Sequence, residues 1–441
     1  MTNKILINIL YRNKILKQLK EANRVQWFSY NEIMDYQEKK LNDLIQFISK
    51  NNDYYSSIGL SQVKNTEDLK KMPFLTKDII RNEFDKLQTR NLNPNRFRKN
   101  STSGSTGKAT YYYSDMLKKQ YSEACRLRGD SWTGWEPFEY KIVLWGAERD
   151  IKKNLKTKIR HSRFFFNTDL LSSFKMSNND IISYIHYINK KKPVFIIGYP
   201  SALDVLAQFI INHNFIVYSP KGIITGGETL FETQRESIQK AFNCKVLNRY
   251  GGREVHHIAN ECEEQNGLHI SSDHVILEVV DKEGNSCKPG ELGEIVLTDL
   301  DNYVFPFIRY KIGDVGILEE KSKKCKCGRG LPLIRRVEGR TTDIVIGTNG
   351  NRISGIFFPL IRKKVKGVEE IQVVQEEYGK LEINVKRNSL YDNNKSSSEI
   401  INIIKNELGR DMIVNINYVS GINVTQTGKL QRVISKVSPY I

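Results

Sequence analysis

The chain has 441 residues, more than one compact core ordinarily holds, so two or three domains are expected. With 39% hydrophobic, 10% aromatic and 27% charged residues, the composition excludes a disordered chain. No apolar run reaches the ~18–20 residues that span a bilayer. The net charge of +18 is spread over short clusters (Lys190–Lys192, Lys321–Lys324, Arg362–Lys366) that lack the aromatic interleaving of a strand-binding surface. Neither an integral membrane segment nor a nucleic-acid partner is expected.

Residues 1 to about 95 read as mostly helical. The opening MTNKILINILYRNKILKQLK interrupts its apolar positions with Asn, Arg and Lys, which predicts an amphipathic helix rather than a signal peptide. Six irregularly spaced cysteines do not form a disulfide framework, and a reducing, cytoplasmic location follows. Within KMPFLTKDIIR, Thr76 is a predicted helix N-cap. From about 100 to 335, short apolar runs end in Gly: KIVLWG (141–146), PVFIIGYP (193–200), KGIITGGE (221–228) and CKVLNRYGG (244–252). Amphipathic stretches such as Ser201–His213 and Leu230–Phe242 lie between them. The alternation predicts an α/β fold, a large N-terminal domain with parallel-rich sheets, with ligands at the Gly turns. Residues 268–318 alternate and carry turn signals, which predicts a β-rich subdomain. A break near Gly339–Asp343 precedes a small C-terminal α+β domain. There EEIQVVQEE and KLEINVKRN read as a hairpin, Asp392–Ser397 as a loop, Glu399–Leu408 as a helix and IVNINYV as a strand. The expected division is 1–338, a hinge at 339–343, and 344–441.

Four segments carry chemistry. STSGSTGKAT (101–110) offers hydroxyls, two glycines and Lys108; such a run can cradle phosphates, and by composition it also suits a plain flexible loop. NRYGGRE (248–254) follows an apolar run: Tyr250 can stack on a base, Gly251 and Gly252 permit close approach, and Glu254 is an oxygen ligand suited to Mg²⁺. FIRYKIGDVG (307–316) presents Asp314 after a strand, placed to accept from ribose hydroxyls. EGRTTDIVIGTNG (338–350) and TQTGKLQR (425–432) supply Arg340 and Lys429.

In this order the segments resemble the adenylate-forming superfamily of acyl-CoA synthetases, peptide-synthetase adenylation domains and luciferase, over nearly the whole chain. More narrowly the chain is similar to the phenylacetate–CoA ligase family and, within it, its capsular-polysaccharide CapK-like branch; KMPFLTKDIIR, GYPSAL and GLHI are further points of likeness. The resemblance implies that Ser103, Gly104, Ser105, Thr106, Gly107 and Lys108 bind the ATP phosphates. Gly226, Gly227 and Glu228 would line the adenine pocket with Tyr250, Gly251, Gly252 and Arg253. Glu254 would hold Mg²⁺, Asp314 the ribose, and Arg340 would reach the nucleotide from the hinge. Lys429 would bridge carboxylate and α-phosphate, and the small domain would rotate once the acyl-AMP has formed. The expected activity is ATP-dependent activation of a small carboxylic acid as an acyl-adenylate, followed by transfer to an amine or hydroxyl acceptor in surface-polysaccharide assembly, or alternatively to CoA. The acyl pocket is expected near Trp145, Tyr199, Gly226 and Gly252. Two departures stand out. Ala109 replaces a frequent proline, and Arg253 occupies the position of Ser or Thr in thioester-forming members, which puts CoA in doubt.

A second constellation is Cys262, His269, Cys325 and Cys327, the last two in a CKCG knuckle. Cys₃His is a closed structural zinc set, and some phenylacetate–CoA ligase-like proteins carry a similar one. His256 and His257 are rival ligands.

Overall fold

The computed structural model describes residues 2–92, 97–102, 110–137, 139–145, 167–173, 176–340, 344–354, 357–422 and 432–437. Helices α1 (Thr2–Val25) and α2 (Tyr30–Asn51) open the chain, and short helical turns lead to β1 (Phe97–Thr102), β2 (Thr110–Asp115) and α3 (Met116–Ser131). Next come β3 (Lys141–Leu144), β4 (Thr168–Leu171), α4 (Asn178–Lys191), β5 (Phe195–Gly198), α5 (Pro200–Asn212), β6 (Gly222–Gly226) and α6 (Glu232–Phe242). Strands β7 (Lys245–Gly252), β8 (His256–Glu261), β9 (Leu268–Ile270), β10 (Val275–Val280), β11 (Leu292–Asp299), β12 (Tyr310–Leu318) and β13 (Leu333–Arg340) follow. The last region holds β14 (Ile344–Ile346), β15 (Arg352–Ser354), α7 (Phe358–Lys364), β16 (Val368–Gln375), β17 (Lys380–Arg387), α8 (Lys395–Leu408), β18 (Ile413–Tyr418) and β19 (Val433–Ser435). The contacts divide the chain into two compact units, Met1–Glu139 with Leu247–Arg336, and Tyr140–Val246 with Val337–Ile441.

In the first unit the strand order is β10-β11-β12-β13-β9-β8-β7, antiparallel in the pairs β10–β11, β11–β12, β13–β9, β8–β9 and β7–β8. Helix α2 starts on a capping box: the Ser29 hydroxyl accepts from the Glu32 amide, while the Glu32 carboxylate accepts from the Ser29 amide at 2.8 Å. Its buried stripe, Ile33, Leu41, Leu44, Ile45 and Ile48, follows the helical period. Thr76 caps the next turn as expected, accepting from the Ile79 amide.

Helix α3 buries charge rather than apolar surface alone. Lys118, Arg128 and Asp130 are all below 1% exposed, and each is paired. Lys118 meets Asp299 at 2.9 Å with both side chains fully buried. Arg128 forms a two-pronged pair with Asp273, at 2.9 Å for each prong. Asp130 receives Arg126 at 2.5 Å and also Arg249. Nearby, Asp301 binds Lys40 at 2.5 Å and His274 Nδ1 at 2.6 Å. The other His274 nitrogen faces the Val255 carbonyl at 3.1 Å.

The second unit contains the parallel sheet β6-β5-β3-β4. The inner strands β5 and β6 are short, largely apolar and buried along their whole length, whereas the edge strand β4 leaves Leu170 exposed. Ile142, Ile196, Ile223, Leu203, Leu206 and Phe242 form the core. Helix α5 begins with Pro200 in its first turn, where the missing N–H leaves nothing unsatisfied. In the same unit, the later region forms the sheet β18-β17-β16-β19, with the expected β16–β17 hairpin antiparallel and β18 parallel to β17. Ile400, Ile404 and Leu408 of α8 pack on Val373, Ile383 and Val385. One expectation needs correction: the segment Asp392–Ser397 is not all loop, because α8 begins at Lys395. The Asp392 carboxylate accepts from the amides of Asn394 (2.9 Å) and Lys395 (2.8 Å), which starts the helix early.

The His274 arrangement has a pH consequence. Burial opposes its charge, but Asp301 and Asp299 outweigh burial and raise its pKa above the ordinary 6.5. A raised folded pKa gives stability that is complete below the unfolded pKa and lost as pH rises through the folded one. The stability gap between the wild type and His274→Gln should therefore be widest below about pH 6.5 and narrow above it. Urea midpoints measured from pH 5.5 to 9 check this, and a gap that is flat or widens with pH contradicts it.

Candidate active site

Strand β7 ends in Tyr250-Gly251-Gly252 and turns through Arg253–Val255 into β8. The turn is tight at both glycines, with backbone closing off a side chain at Gly251. A Cβ on Gly251 would lie 2.3 Å from the His256 carbonyl oxygen, and one on Gly252 would lie 2.7 Å from Ile312 Cδ1. His256 itself takes a positive φ of 71°, uncommon for a bulky residue. Burial lowers its pKa to about 3, so its imidazole is neutral.

Glu254 is 5% exposed. The Tyr310 hydroxyl donates to its Oε1 at 2.8 Å, and the buried Lys118 ammonium donates to its backbone carbonyl. Tyr112 holds the preceding carbonyl, that of Arg253, at 2.5 Å. Burial, then the Glu254 carboxylate, raise the pKa values of Tyr112 and Tyr310, so both remain hydroxyl donors. The Arg253 side chain is exposed. The Tyr250 hydroxyl donates to Asp314 Oδ2 at 2.8 Å, so those two predicted residues meet directly. Sequence reasoning passed over Lys118, Tyr112 and Tyr310. Only Tyr310 carried a signal, since it stands inside the FIRYKIGDVG segment.

In the second unit Gly226 closes β6 and Gly227 follows with φ 78°. A Cβ on Gly227 would lie 2.9 Å from Trp145 and 3.0 Å from Tyr199. Those two rings stack at 3.9 Å with 28° between their planes, which makes an aromatic wall beside the glycine. Glu228 accepts from the Ser201 amide at 3.2 Å. It thereby caps the N-terminus of α5, where a carboxylate also meets the helix dipole favourably. The phosphate-loop residues Ser103–Lys108, the Lys429 loop and the Arg340 side chain lie outside what the structure describes.

The metal constellation assembles in the first unit. One ligand atom from each of Cys262, His269, Cys325 and Cys327 lies within 4.8 Å of all the others. Cys262 and Cys325 sulfurs are 3.6 Å apart, and Cys327 Sγ is 3.3 Å from His269 Nε2. A tetrahedral Zn²⁺ with Zn–S of about 2.3 Å requires S···S of about 3.8 Å, so the spacing fits. His269 Nδ1 faces the Leu331 carbonyl at 3.1 Å. That contact puts the ring proton on Nδ1 and the lone pair on Nε2, toward the sulfurs. Burial raises the Cys262 and Cys325 thiols. It acts the same way on Cys327, but His269 and the Arg329 amide outweigh it and push that thiol down to about 6. A dication is the charge that would let all three deprotonate. The rivals His256 and His257 belong to β8 and are not in this cluster. A second buried group, His274 with Asp299 and Asp301, already has Lys118 and Lys40 as its cations and reads as ion pairing.

The comparisons with known proteins point one way. The CapK C-terminal domain family matches residues 345–436. Protein CapK of Staphylococcus aureus is 26% identical over 439 residues, covering 96% of this chain and 92% of that protein. Phenylacetate-coenzyme A ligase of Thermus thermophilus is 35% identical over 127 residues, 28% of each chain. Among solved structures, 2-hydroxyisobutyryl-CoA ligase in the postadenylation state with 2-HIB-AMP superposes with a TM-score of 0.73 at 17% identity, covering 94% of this chain and 92% of that one. An anthranilate CoA ligase with anthranoyl-AMP superposes at 0.55 over 76% of this chain and 65% of that one, at 14% identity. Among the described residues no helix is long and apolar enough to cross a membrane. With the α/β architecture and the Tyr250–Glu254 turn in hand, residues 345–436 match the CapK C-terminal domain, the chain is similar to CapK over nearly its whole length and to phenylacetate–CoA ligase over part of it, and it shares the fold of adenylate-forming CoA ligases.

Proposed function

We propose that the chain activates a small carboxylic acid with ATP and transfers the acyl group to an amine or hydroxyl acceptor, in surface-polysaccharide assembly. In the first step a carboxylate oxygen attacks the α-phosphorus, the α–β anhydride breaks, and pyrophosphate leaves. In the second step the acceptor attacks the acyl carbon and AMP leaves. The observation that carries the reading is the Glu254 turn: a buried carboxylate fixed on one oxygen by Tyr310, beside a Tyr250–Asp314 pair.

In this reading Ser103–Lys108 hold the phosphates, and Gly226–Glu228 with Tyr250–Arg253 line the nucleotide site. Asp314 takes the ribose and Arg340 reaches the nucleotide. The carboxylate of Glu254 fits Mg²⁺, whose charge would offset that of the phosphates. Lys429 brings positive charge to the meeting of two anions, where it stabilises the transition state more than the separated reactants. Residues 1–338 form the adenylation domain, 339–343 the hinge and 344–441 the domain that carries Lys429. Movement of that domain after adenylation withdraws the lysine and admits the acceptor.

A second reading, CoA as acceptor, is favoured by the names of the phenylacetate- and hydroxyisobutyryl-CoA ligases. Arg253, and the likeness to CapK over 96% of the chain, favour the first. Pyrophosphate release across aryl, fatty, hydroxy, amino and sugar acids tests both, run with no acceptor, with CoA, and with amines and amino sugars. We expect release with one acid class, acceleration by an amine or hydroxyl, and a loss of about 10²- to 10³-fold for Lys429→Ala and for Glu254→Ala, the scale of one preorganised charge. Lys429→Ala with wild-type release contradicts the assignment of that residue, and acceleration by CoA alone selects the second reading.

We also propose structural Zn²⁺ on Cys262, His269, Cys325 and Cys327. Metal analysis of the purified chain should find about one equivalent of zinc, and Cys325→Ser should lose it with a lower melting temperature. Less than half an equivalent in the wild type contradicts the site.

A further inference from the structure

The reaction proposed above gives no part to Lys118, a fully buried lysine beside the Glu254 turn. Its backbone is fixed first: the Asp115 carboxylate caps α3 and accepts from the Lys118 amide at 2.7 Å. Its ammonium meets Asp299 at 2.9 Å and donates to the Glu254 carbonyl. It also lies 5.2 Å from the centre of the Phe307 ring and 5.8 Å from that of Tyr112. Asp299 is held in turn by the Asp301 amide at 3.0 Å.

Stability alone gives a weak reason for this arrangement. A buried ion pair loses much of its Coulomb gain to desolvation, and apolar residues of similar volume often serve as well. A carbonyl in a turn needs only a neutral donor, such as the one Tyr112 supplies to Arg253 at 2.5 Å. The ammonium goes instead to the carbonyl of the candidate metal ligand. Glu254 is thereby held at both ends, by Lys118 on its carbonyl and by the Tyr310 hydroxyl on Oε1 at 2.8 Å. The Phe307 ring links the two anchors, since it meets Tyr310 edge-on at 5.0 Å. Oε2 lies on the Gly252 side, 3.7 Å from where a Cβ of that residue would stand. Two residues on, His256 keeps its left-handed φ of 71°, a conformation that persists in a non-glycine residue when its surroundings over-determine it.

We propose that Lys118 is a positioning residue for acyl-adenylate formation: neutralised by Asp299, it pins the Glu254 carbonyl and so fixes where the free carboxylate oxygen points. The inference rests on the functional reading above, in which that carboxylate takes Mg²⁺. Near-attack geometry is steep in distance, and a displacement of about 1 Å can cost about 10²-fold in rate. The role belongs to the first half-reaction, because the triphosphate and its cation act only there.

A charge-free double variant separates positioning from support of the fold. Lys118→Met alone leaves Asp299 buried without its partner and should lower the melting temperature. Lys118→Met with Asp299→Leu removes both charges and should recover most of that loss. A lysine that only supports the fold would then show wild-type behaviour. A positioning lysine gives three changes at restored stability. Hydrogen exchange over Gly251–His257, measured without ligand, should be about tenfold faster. The kcat for pyrophosphate release, with ATP and whichever acid the wild type activates best, should fall about 10- to 100-fold, while consumption of supplied acyl-AMP stays near the wild-type rate. The Mg²⁺ concentration for half-maximal release should rise about tenfold. Lys118→Gln with Asp299→Asn, a neutral hydrogen-bonding pair, should show the same changes to a smaller degree. Restored stability with wild-type exchange or kinetics, or an equal loss in both half-reactions, overturns the proposal. So does failure of both double variants to fold, which makes the pair a requirement of the fold alone. A wild type that activates no acid overturns the functional reading instead, and the exchange comparison still decides whether Lys118 fixes the turn.

Discussion

The candidate site leans on one buried ion pair. Lys118 and Asp299 are both fully buried at 2.9 Å, and the same ammonium holds the carbonyl of Glu254. Removing either partner would leave an uncompensated charge in the interior, at a cost of about 3–5 kcal/mol. The pair also joins elements that are distant in sequence: α3, the end of β11, and the turn between β7 and β8. Glu254 is thus placed by a charge more than a hundred residues away. The surrounding pairs, Arg128–Asp273 and Lys40–Asp301–His274, extend the arrangement. The His274 contact reaches the Val255 carbonyl, the next residue along the turn. The backbone of Arg253, Glu254 and Val255 is held on three successive carbonyls, by Tyr112, Lys118 and His274.

Much of the fold was legible because its signals are local. Runs such as PVFIIGYP and KGIITGGE announce buried parallel strands by continuous apolarity and a terminal Gly, and they became β5 and β6. The β16–β17 hairpin was visible in its alternation. Segments whose stability comes from partners were not. FRKNST has no apolar period, yet it forms β1, paired with β2 and held by contacts such as Asn100 to Ser114 at 2.7 Å. The early start of α8 depends on Asp392 acting as a cap, which reads as loop composition in sequence.

The site divides in the same way. Tyr250, Glu254 and Asp314 could be named because glycines and motif order flag them, and Tyr250 and Asp314 do meet. The Cys₃His set could be named because cysteine and histidine are chemically conspicuous. Lys118 and Tyr112 could not. A buried lysine looks like any surface lysine until the fold places it, all the more in a chain of +18 net charge. What sequence leaves out is the partner across the core rather than the residue type.

The four tryptophans fall in places that make the chain self-reporting. Trp132 meets the metal-set histidine His269 edge-on at 5.5 Å, and Arg329 lies over both Trp132 (4.6 Å) and Trp27 (5.2 Å). Trp145 stacks on Tyr199 against Gly227. Trp135 is fully buried and donates to the Glu139 carbonyl, so its surroundings stay constant. An indole beside a thiol-rich knuckle and another beside the glycine loop respond to different events, with a third as an internal reference. The native fluorescence spectrum is therefore an optical record of two separate regions of the molecule, readable without a label.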